Sequence, residues 1–372
     1  MGHTPLLTDA HRALLATAQT AAAKLEPTQP WTDPQLACHV AGTPFYPYLV
    51  PQAFGGALPG VDVRSLCVIR EALAYRNAAA DSLYAVQGLG SHPVLLGGSD
   101  AQKQALLPDV AAGKTLFAFA LTEPDAGSDV QALSTRAVKE QDGYRLDGLK
   151  RFISNAGIAT HYTVFARTGE GTKGISAFVV PGKTKGLSVT KLEMLGEHPI
   201  GEVKLENVRV GADALIGAEG AGLKLALGTL DVFRTTVGAA AVGMAQRAQD
   251  EALAYAKTRK QFGAPLGELP SVQALLAENA VELDAARLLV HQAALVKDQG
   301  QARVTYEAAV AKLFATEAAQ RIIDRSLQIH GGNGVVKGSV PERLYRDIRA
   351  LRIYEGASEV QRLVIARHLL QG

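Results

Sequence analysis

The stretch R-I-Y-E-G-A-S-E-V-Q-R, residues 352–362, places one carboxylate, Glu355, beside a glycine and between two helical patterns. Apolar residues recur with helical spacing on both sides of it, at Leu344, Ile348, Leu351, Val360, Leu363 and Val364. Gly356 therefore predicts a joint between two helices. A carboxylate at such a joint can face a ligand. Taken alone, a Glu-Gly pair more often marks nothing beyond a helix end.

Size and composition narrow the class of protein. A chain of 372 residues, 47% of them hydrophobic, can bury a large core and predicts two or three structural units. The formal net charge of +2 gives no reason to expect a nucleic-acid or membrane partner. Two cysteines, Cys38 and Cys67, are too few for a disulfide framework or a thiolate metal site, so no metal is expected.

The N-terminal sequence favours a cytoplasmic protein. The opening M-G-H-T-P-L-L-T-D-A-H-R lacks the basic and apolar regions of a secretory signal, and Asp9 disfavours a transit peptide. Eighteen apolar residues never run together without a charge or a glycine, so a membrane span is not expected.

The pattern changes twice along the chain, which predicts an N-terminal helical domain (1–113), a middle β-domain (114–216) and a C-terminal helical domain (217–372). The first part is alanine-rich with helical spacing, cut at 27–31 and 50–56. The middle part has short β-type runs that predict an antiparallel sheet or small barrel, at 162–166, 176–180 and 203–205. The last part predicts a bundle of long helices, at 222–261, 271–299, 301–329, 341–352 and 357–370.

Two segments of the middle part offer groups that could hold a ligand. T-E-P-D-A-G-S-D, residues 122–129, follows a strand and combines turn residues with the hydroxyls of Thr122 and Ser128. K-R-F-I-S-N-A-G, residues 150–157, places aromatic Phe152 close to Ser154. Each segment alone has a simpler interpretation, a structural turn and a core aromatic residue respectively.

Two segments of the last part end helices. R-K-Q-F-G, residues 259–263, closes a helix with two cations, which either complement the helix dipole or meet an anionic ligand. Q-I-H-G-G-N-G, residues 328–334, ends in glycines that either cap the helix or let a backbone approach a ligand.

In order and spacing, these four segments and R-I-Y-E-G-A-S-E resemble the signatures of the acyl-CoA dehydrogenase family of flavoenzymes over nearly the whole chain. The resemblance implies an α+β fold with an N-terminal helical domain, a central antiparallel β-domain and a C-terminal four-helix bundle. It implies FAD as the cofactor, an acyl-CoA substrate, an electron-transfer flavoprotein as acceptor, and a homotetramer built as a dimer of dimers. Fatty acid β-oxidation is the pathway that it suggests.

The family's reaction assigns roles to several residues. A base removes the α-proton of an acyl-CoA thioester while the β-hydrogen leaves as hydride to FAD, which gives a trans-2-enoyl-CoA; Glu355 matches that base. A free glutamate, with a pKa of about 4.3, is a weak base, so burial must raise its pKa. The main-chain N–H of Glu355 would help to stabilise the enolate. The substrate-binding positions implied are Ser128, Asp231, Arg234, Glu355 and Gly356.

The resemblance also implies a set of FAD-binding residues. Those beside the flavin and pyrophosphate are Phe119, Leu121, Thr122, Ser128, Phe152 and Ser154. Those that hold the adenosine part across a subunit interface are Arg259, Gln261, Phe262, Gln328, Gly331 and Gly332, and Glu359 completes the cofactor set.

Several positions depart from the family pattern. Phe152, Ser154 and Ala357 replace the common tryptophan, threonine and threonine, and Pro270 falls near a common glutamine. The loop 193–202 is shorter than its counterpart and lacks a serine that often meets the CoA arm. Acyl-chain preference is a guess, short to medium, with Tyr84 or Gln87 as residues that could shorten the pocket.

Other functions compete with this reading. An acyl-CoA oxidase would pass electrons to oxygen, but it is typically longer, and a nitroalkane-oxidising relative would carry aspartate at the base position. A non-catalytic helical scaffold would bind no FAD. No Glu-x-x-His pair supports a di-iron bundle. The run G-E-G-T-K-G, residues 169–174, has the G-x-G-x-x-G spacing but leads into a β-type run rather than a helix, so it does not support a nicotinamide site. The arginines of 343–352 could contact CoA phosphates, although a solvated helix face is favoured.

Overall fold

The computed structural model describes residues 5–26, 34–196 and 198–371. The predicted break at 27–31 therefore lies outside the described residues. The N-terminal part is helical as expected, and its α-helices are α1 (Asp9–Ala22), α2 (Pro34–Ala41), α3 (Val63–Arg76), α4 (Ala78–Gly97) and α5 (Asp100–Ala111). Asn77 ends α3 and caps α4, where its side chain accepts a hydrogen bond from the Ala80 N–H.

The middle part is a seven-stranded sheet in the order β1-β4-β2-β3-β7-β6, with β5 also paired to β4. The strands are β1 (Phe117–Ala120), β2 (Arg136–Glu140), β3 (Gly143–Ser154), β4 (His161–Arg167), β5 (Ile175–Pro181), β6 (Leu187–Lys191) and β7 (Ile200–Gly211). Most pairings are antiparallel, as expected, but β1, at the edge of the sheet, and β2 both run parallel to β4. Pairing between strands so far apart in sequence leaves no local signal, so this parallel edge could not be predicted.

The C-terminal part is the predicted bundle of long helices. Its elements are α6 (Gly222–Thr258), a short hairpin of β8 (Lys260–Gln261) and β9 (Ala264–Pro265), α7 (Pro270–Asp298), α8 (Thr305–His330), α9 (Val340–Leu351) and α10 (Ser358–Gln371). Gly238 lets α6 approach its neighbours closely, because a Cβ there would lie 2.7 Å from Val290 Cγ2. The small residues of 238–245 thus serve close packing between helices.

Helix α6 lies at the centre of the molecule. It is the one helix among the described residues long and apolar enough to cross a membrane, yet 83% of its apolar window is buried inside the protein. That burial is typical of a core helix.

Helices α4 and α6 cross in opposite directions beside the sheet. A Cβ at Gly97 would lie 2.7 Å from the Leu225 side chain, and one at Gly88 would lie 2.3 Å from the Phe233 ring. Helix α4 also presses on β1, where a Cβ at Gly90 would lie 2.7 Å from Phe117 Cβ. These contacts leave a space enclosed by α4, α6, the sheet and the segment that joins α9 to α10.

Candidate active site

That space is a cavity of about 1540 Å³. Every residue predicted to bind substrate and every residue predicted to lie beside the flavin lines it. These are Phe119, Leu121, Thr122, Ser128, Phe152, Ser154, Asp231, Arg234, Glu355 and Gly356. The fold therefore brings together groups that are more than 230 positions apart in the sequence.

Glu355 occupies a strained turn between α9 and α10. Its φ is 52°, a left-handed conformation rare for a residue with a side chain, and Gly356 follows with a φ of 95°. Arg234 Nε donates to the Glu355 carbonyl at 3.1 Å, and Lys312 Nζ and Gln361 Nε2 each donate to the Gly356 carbonyl at 2.8 Å. Three donors thus fix the turn, and Arg234 holds the Glu355 backbone rather than its carboxylate.

The environment of the Glu355 carboxyl makes it a stronger base than a free glutamate. Its Oε2 is buried and has no hydrogen-bond partner among the described residues. Burial raises the pKa of Glu355 above its ordinary value, and the charges of Arg70, Arg234 and Lys312 offset part of that rise. An unpaired buried carboxyl oxygen is costly to keep, which indicates a ligand-facing role.

A buried ion pair that sequence reasoning missed lies next to Glu355. Arg70 donates to Asp81 through Nε at 2.8 Å and Nη2 at 2.7 Å, and Arg70 Nη1 donates to Thr236 Oγ1 at 2.9 Å. Arg70 and Asp81 both line the cavity and are 1% exposed. They lie on α3 and α4, and nothing in either local sequence signals that they meet.

On the sheet side, a second buried ion pair shapes the loop 122–129. Glu123 accepts hydrogen bonds from the Ser134 N–H at 2.6 Å, the Thr135 N–H at 3.0 Å and Lys150 Nζ at 2.7 Å. Lys150 also donates to the Leu121 carbonyl at 3.0 Å. Burial alone would raise the pKa of Glu123. The charge and hydrogen bond of Lys150 are the largest opposing effects, and together with the other hydrogen bonds they lower this pKa to about 2.

Phe152 presents an open aromatic face to the cavity. The side chain is 49% exposed, φ is 57°, and the Arg151 guanidinium lies 5.2 Å from the ring centroid. The interpretation of Phe152 as a core residue is therefore wrong. An aromatic ring, the hydroxyls of Thr122 and Ser154 and a long apolar wall suit a planar, polar-edged ring system such as a flavin.

The residues predicted to hold adenosine do not line this cavity. Arg259, Gln261, Phe262, Gln328, Gly331 and Gly332 all lie at the surface, and Phe262 is 92% exposed. The segments 259–263 and 328–334 lie close together. The ring centroids of Tyr255 and His330 are 4.4 Å apart, and Asn333 Nδ2 donates to the Tyr255 hydroxyl at 3.0 Å. Glu359 is also exposed.

Tyr84 and Gln87 do not shorten the pocket, so that guess is wrong. Gln87 Nε2 donates to the Thr115 carbonyl, and Gln87 Oε1 accepts from the Phe117 N–H. Both side chains are buried on the side of α4 away from the cavity, whose α4 wall includes Ala78, Asp81, Ser82, Ala85, Val86 and Leu89. The direction of side chains around a helix without apolar periodicity could not be read from sequence.

Of the arginines of 343–352, two pair with glutamates and so fit the solvated helix face. Arg346 pairs with Glu342 at 2.6 Å and Arg352 with Glu317 at 2.8 Å. No group of three or more His, Cys, Asp or Glu side chains within the described ranges is placed to hold a metal ion.

Comparison with known proteins identifies the class. Three family models match: the acyl-CoA dehydrogenase N-terminal domain over residues 8–114, the middle domain over 118–208 and the C-terminal domain over 220–370. The chain belongs to the acyl-CoA dehydrogenase family. The predicted family, fold class and enzyme class are confirmed.

Curated relatives have several substrates. A 3-(aryl)acrylate reductase of Clostridium sporogenes is 43% identical over 334 residues, which cover 88% of each chain. A cyclohexane-1-carbonyl-CoA dehydrogenase of Geobacter metallireducens is 40% identical, covering 86% of this chain and 85% of the relative. A caffeyl-CoA reductase-Etf complex subunit of Acetobacterium woodii is 39% identical, covering 88% and 87%.

Solved structures agree with the fold. Butyryl-CoA dehydrogenase from Megasphaera elsdenii has a TM-score of 0.94 and 34% identity, and the match covers 100% of both chains. A glutaryl-CoA dehydrogenase from Mycobacterium smegmatis in complex with FADH2 has a TM-score of 0.91 and 29% identity, covering 99% of this chain and 96% of that one. FAD is the cofactor of this family, and the cavity fits it.

Proposed function

We propose that this enzyme catalyses α,β-dehydrogenation of an acyl-CoA thioester to a trans-2-enoyl-CoA, with Glu355 as the base. The observation that carries the proposal is the buried, unpartnered Glu355 oxygen in a cavity suited to a flavin. When bound, FAD would supply the hydride acceptor.

The chain's own groups support the proton transfer. The raised pKa of Glu355 makes its carboxylate a stronger base for the weakly acidic α-proton. The fixed turn holds the carboxylate and directs the Glu355 N–H, and desolvation strengthens any hydrogen bond to a developing enolate. Arg234, Lys312 and Gln361 position this turn through its two carbonyl groups.

The CoA portion would enter from the N-terminal end of α6. Three cationic side chains that line the cavity, Lys173, Lys224 and Arg303, suit the phosphates of CoA. Asp231 lies further along α6, where both of its carboxylate oxygens accept from Thr305 Oγ1 at 3.1 Å, and Ser128 lies on the sheet side. Both are proposed to contact the substrate.

The remaining FAD residues are assigned to a second subunit. The surface segments around Arg259 and Gln328, together with Glu359, are proposed to hold the adenosine part of FAD bound mainly by a partner chain. Such sharing requires at least a dimer, and we propose a dimer of dimers. We also propose domain boundaries near 113 and 216, an electron-transfer flavoprotein as electron acceptor, a cytoplasmic location and a role in fatty acid β-oxidation.

A reductase is the second candidate function. Two relatives are named as reductases of aryl acrylates or of caffeyl-CoA. A carboxyl with a raised pKa can also deliver a proton, because the same site runs the reverse reaction by microscopic reversibility. The redox partner and the substrate would then set the direction.

Anaerobic titration with saturated acyl-CoAs from four to sixteen carbons tests the proposal. We expect the purified protein to be yellow and its absorbance near 450 nm to bleach with at least one of them, most readily with a short or medium chain. If none of them bleaches the flavin, and an aryl-acrylyl-CoA reoxidises the dithionite-reduced enzyme, the proposed function would be reductase rather than dehydrogenase. A colourless protein that binds no added FAD would contradict both.

Lys312→Met should move the pH dependence of flavin reduction. Burial lowers the pKa of Lys312 to about 8, and its charge favours the ionised form of Glu355. Removing that cation disfavours the carboxylate, so the pKa of Glu355 rises and the ascending limb of rate against pH shifts to higher pH. Stopped-flow reduction across a pH series measures this, with exposed Lys257→Met as the matched control. An unchanged or lower midpoint would show that Lys312 does not influence the base.

A further inference from the structure

His198 contacts two hydroxyl groups at the cavity wall. Its Nδ1 lies 3.0 Å from Ser82 Oγ on α4, and its Nε2 lies 2.6 Å from Ser154 Oγ at the end of β3. The imidazole also stacks on Tyr354, the residue before Glu355, with ring centroids 6.2 Å apart. All four of these side chains line the cavity.

The loop between β6 and β7 carries His198 to this place. Arg346 Nη1 on α9 donates to the Leu195 carbonyl at 3.3 Å, and a Cβ at Gly196 would lie 2.6 Å from Asp347 Oδ1. The loop therefore packs closely on α9 while His198 reaches α4 and β3. One side chain ties together all three parts of the chain.

The hydrogen bonds among Ser82, His198 and Ser154 allow two arrangements of the protons. Burial is the main cause that lowers the pKa of His198 to about 4, so the ring is neutral at pH 7 and carries one N–H. If the proton is on Nε2, it is donated to Ser154 Oγ, Ser82 donates to Nδ1, and the Ser154 proton is left for the cavity. If the proton is on Nδ1, Ser154 must donate to Nε2 and offers the cavity no proton.

We propose that His198 is a positioning residue whose Nε2–H tautomer fixes the Ser154 hydroxyl as a hydrogen-bond donor to an acceptor atom of the bound flavin ring. This inference rests on the proposed FAD site. A ring with carbonyl and imine acceptors against this wall selects the Nε2–H arrangement, because only that arrangement leaves a donor at Ser154. Sequence reasoning found Ser154 but not the group that orients it.

Nitrogen-15 NMR of the FAD-bound wild-type protein reads the tautomer directly. With histidine labelled at both ring nitrogens, we expect the His198 signal to report protonated Nε2 and unprotonated Nδ1, and its absence from His198→Gln assigns it. Protonation at Nδ1 in the FAD-bound protein would overturn the proposal, and this measurement does not depend on whether a variant folds.

A double-mutant cycle tests the coupling. His198→Phe and Ser154→Ala should each weaken FAD binding by up to about tenfold and alter the flavin visible spectrum in the same way, because both lose the same hydrogen bond. The double variant should be no worse than either single one. His198→Gln, whose amide can still donate to Ser154, should recover most of the affinity.

Additive losses in the double variant, or an unchanged FAD affinity and spectrum in His198→Phe, would show that His198 does not act through Ser154. A wild-type protein that binds no FAD would instead contradict the proposed function. The two failures are therefore distinguishable.

Discussion

Glu355→Gln should bind FAD and acyl-CoA normally while its flavin is reduced roughly 10⁴-fold more slowly than in the wild type. The amide keeps the size of the side chain and leaves the backbone turn and its three donors in place. It cannot accept the α-proton, so the loss appears in the reductive step rather than in binding. Stopped-flow absorbance at 450 nm after mixing with the best acyl-CoA separates the two.

The matched control is Glu206→Gln, the same exchange at an exposed residue of β7 that pairs only with Lys204 among the described residues. It should reduce at the wild-type rate. Near-normal flavin reduction in Glu355→Gln would remove Glu355 as the base, whereas loss of FAD from this variant would make it a structural residue.

Lys150→Met should destabilise the protein by about 3–5 kcal/mol, because it leaves Glu123 as an unpaired buried charge. The two side chains are 0% and 3% exposed, and Lys150 also holds the Leu121 carbonyl. The loop 122–129 would lose its fixed conformation, so FAD retention should fall together with the melting temperature. Thermal unfolding and the bound FAD per chain after gel filtration measure both.

Lys139→Met supplies the comparison, since Lys139 on β2 is 73% exposed and pairs with Glu219 at 3.4 Å. Its loss should cost about 0–1 kcal/mol. Combining Lys150→Met with Glu123→Gln should recover part of the stability by removing the uncompensated charge. A Lys150→Met protein as stable as Lys139→Met would show that the buried pair does not hold the loop.

Much of the architecture could be predicted because its signals are local. Helical periodicity, glycine breaks and short β-type runs each act within one element, and together they indicated the order of helical, β and helical parts. Glu355 could be found for the same reason, since Gly356 marks the turn within the sequence itself. Phe152, Phe262 and Glu355 all have a positive φ, which the motifs did not predict.

The rest of the site depends on contacts between distant segments. Arg70 contacts Thr236, and His198 contacts Ser82 and Ser154; these residues are far apart in the chain, and no pattern in a single sequence indicates that they meet. The loop of 193–202 was expected to be shorter than its family counterpart, but nothing in the sequence indicated which of its side chains reaches the cavity. Its residue 197 lies outside the described residues.

Because α6 is long, one chain can contribute to two separate cofactor sites in an oligomer. A defect in one chain would then affect more than one site. Arg234 and Thr258 lie 24 residues apart on this helix, about 36 Å along its axis at 1.5 Å per residue. The substrate side and the hairpin after Thr258 thus belong to opposite ends of one rod. If each cofactor is shared as proposed, every chain takes part in two sites, and a defective chain would impair a healthy partner's site as well as its own. In a mixed population, activity would then fall faster than the fraction of intact chains.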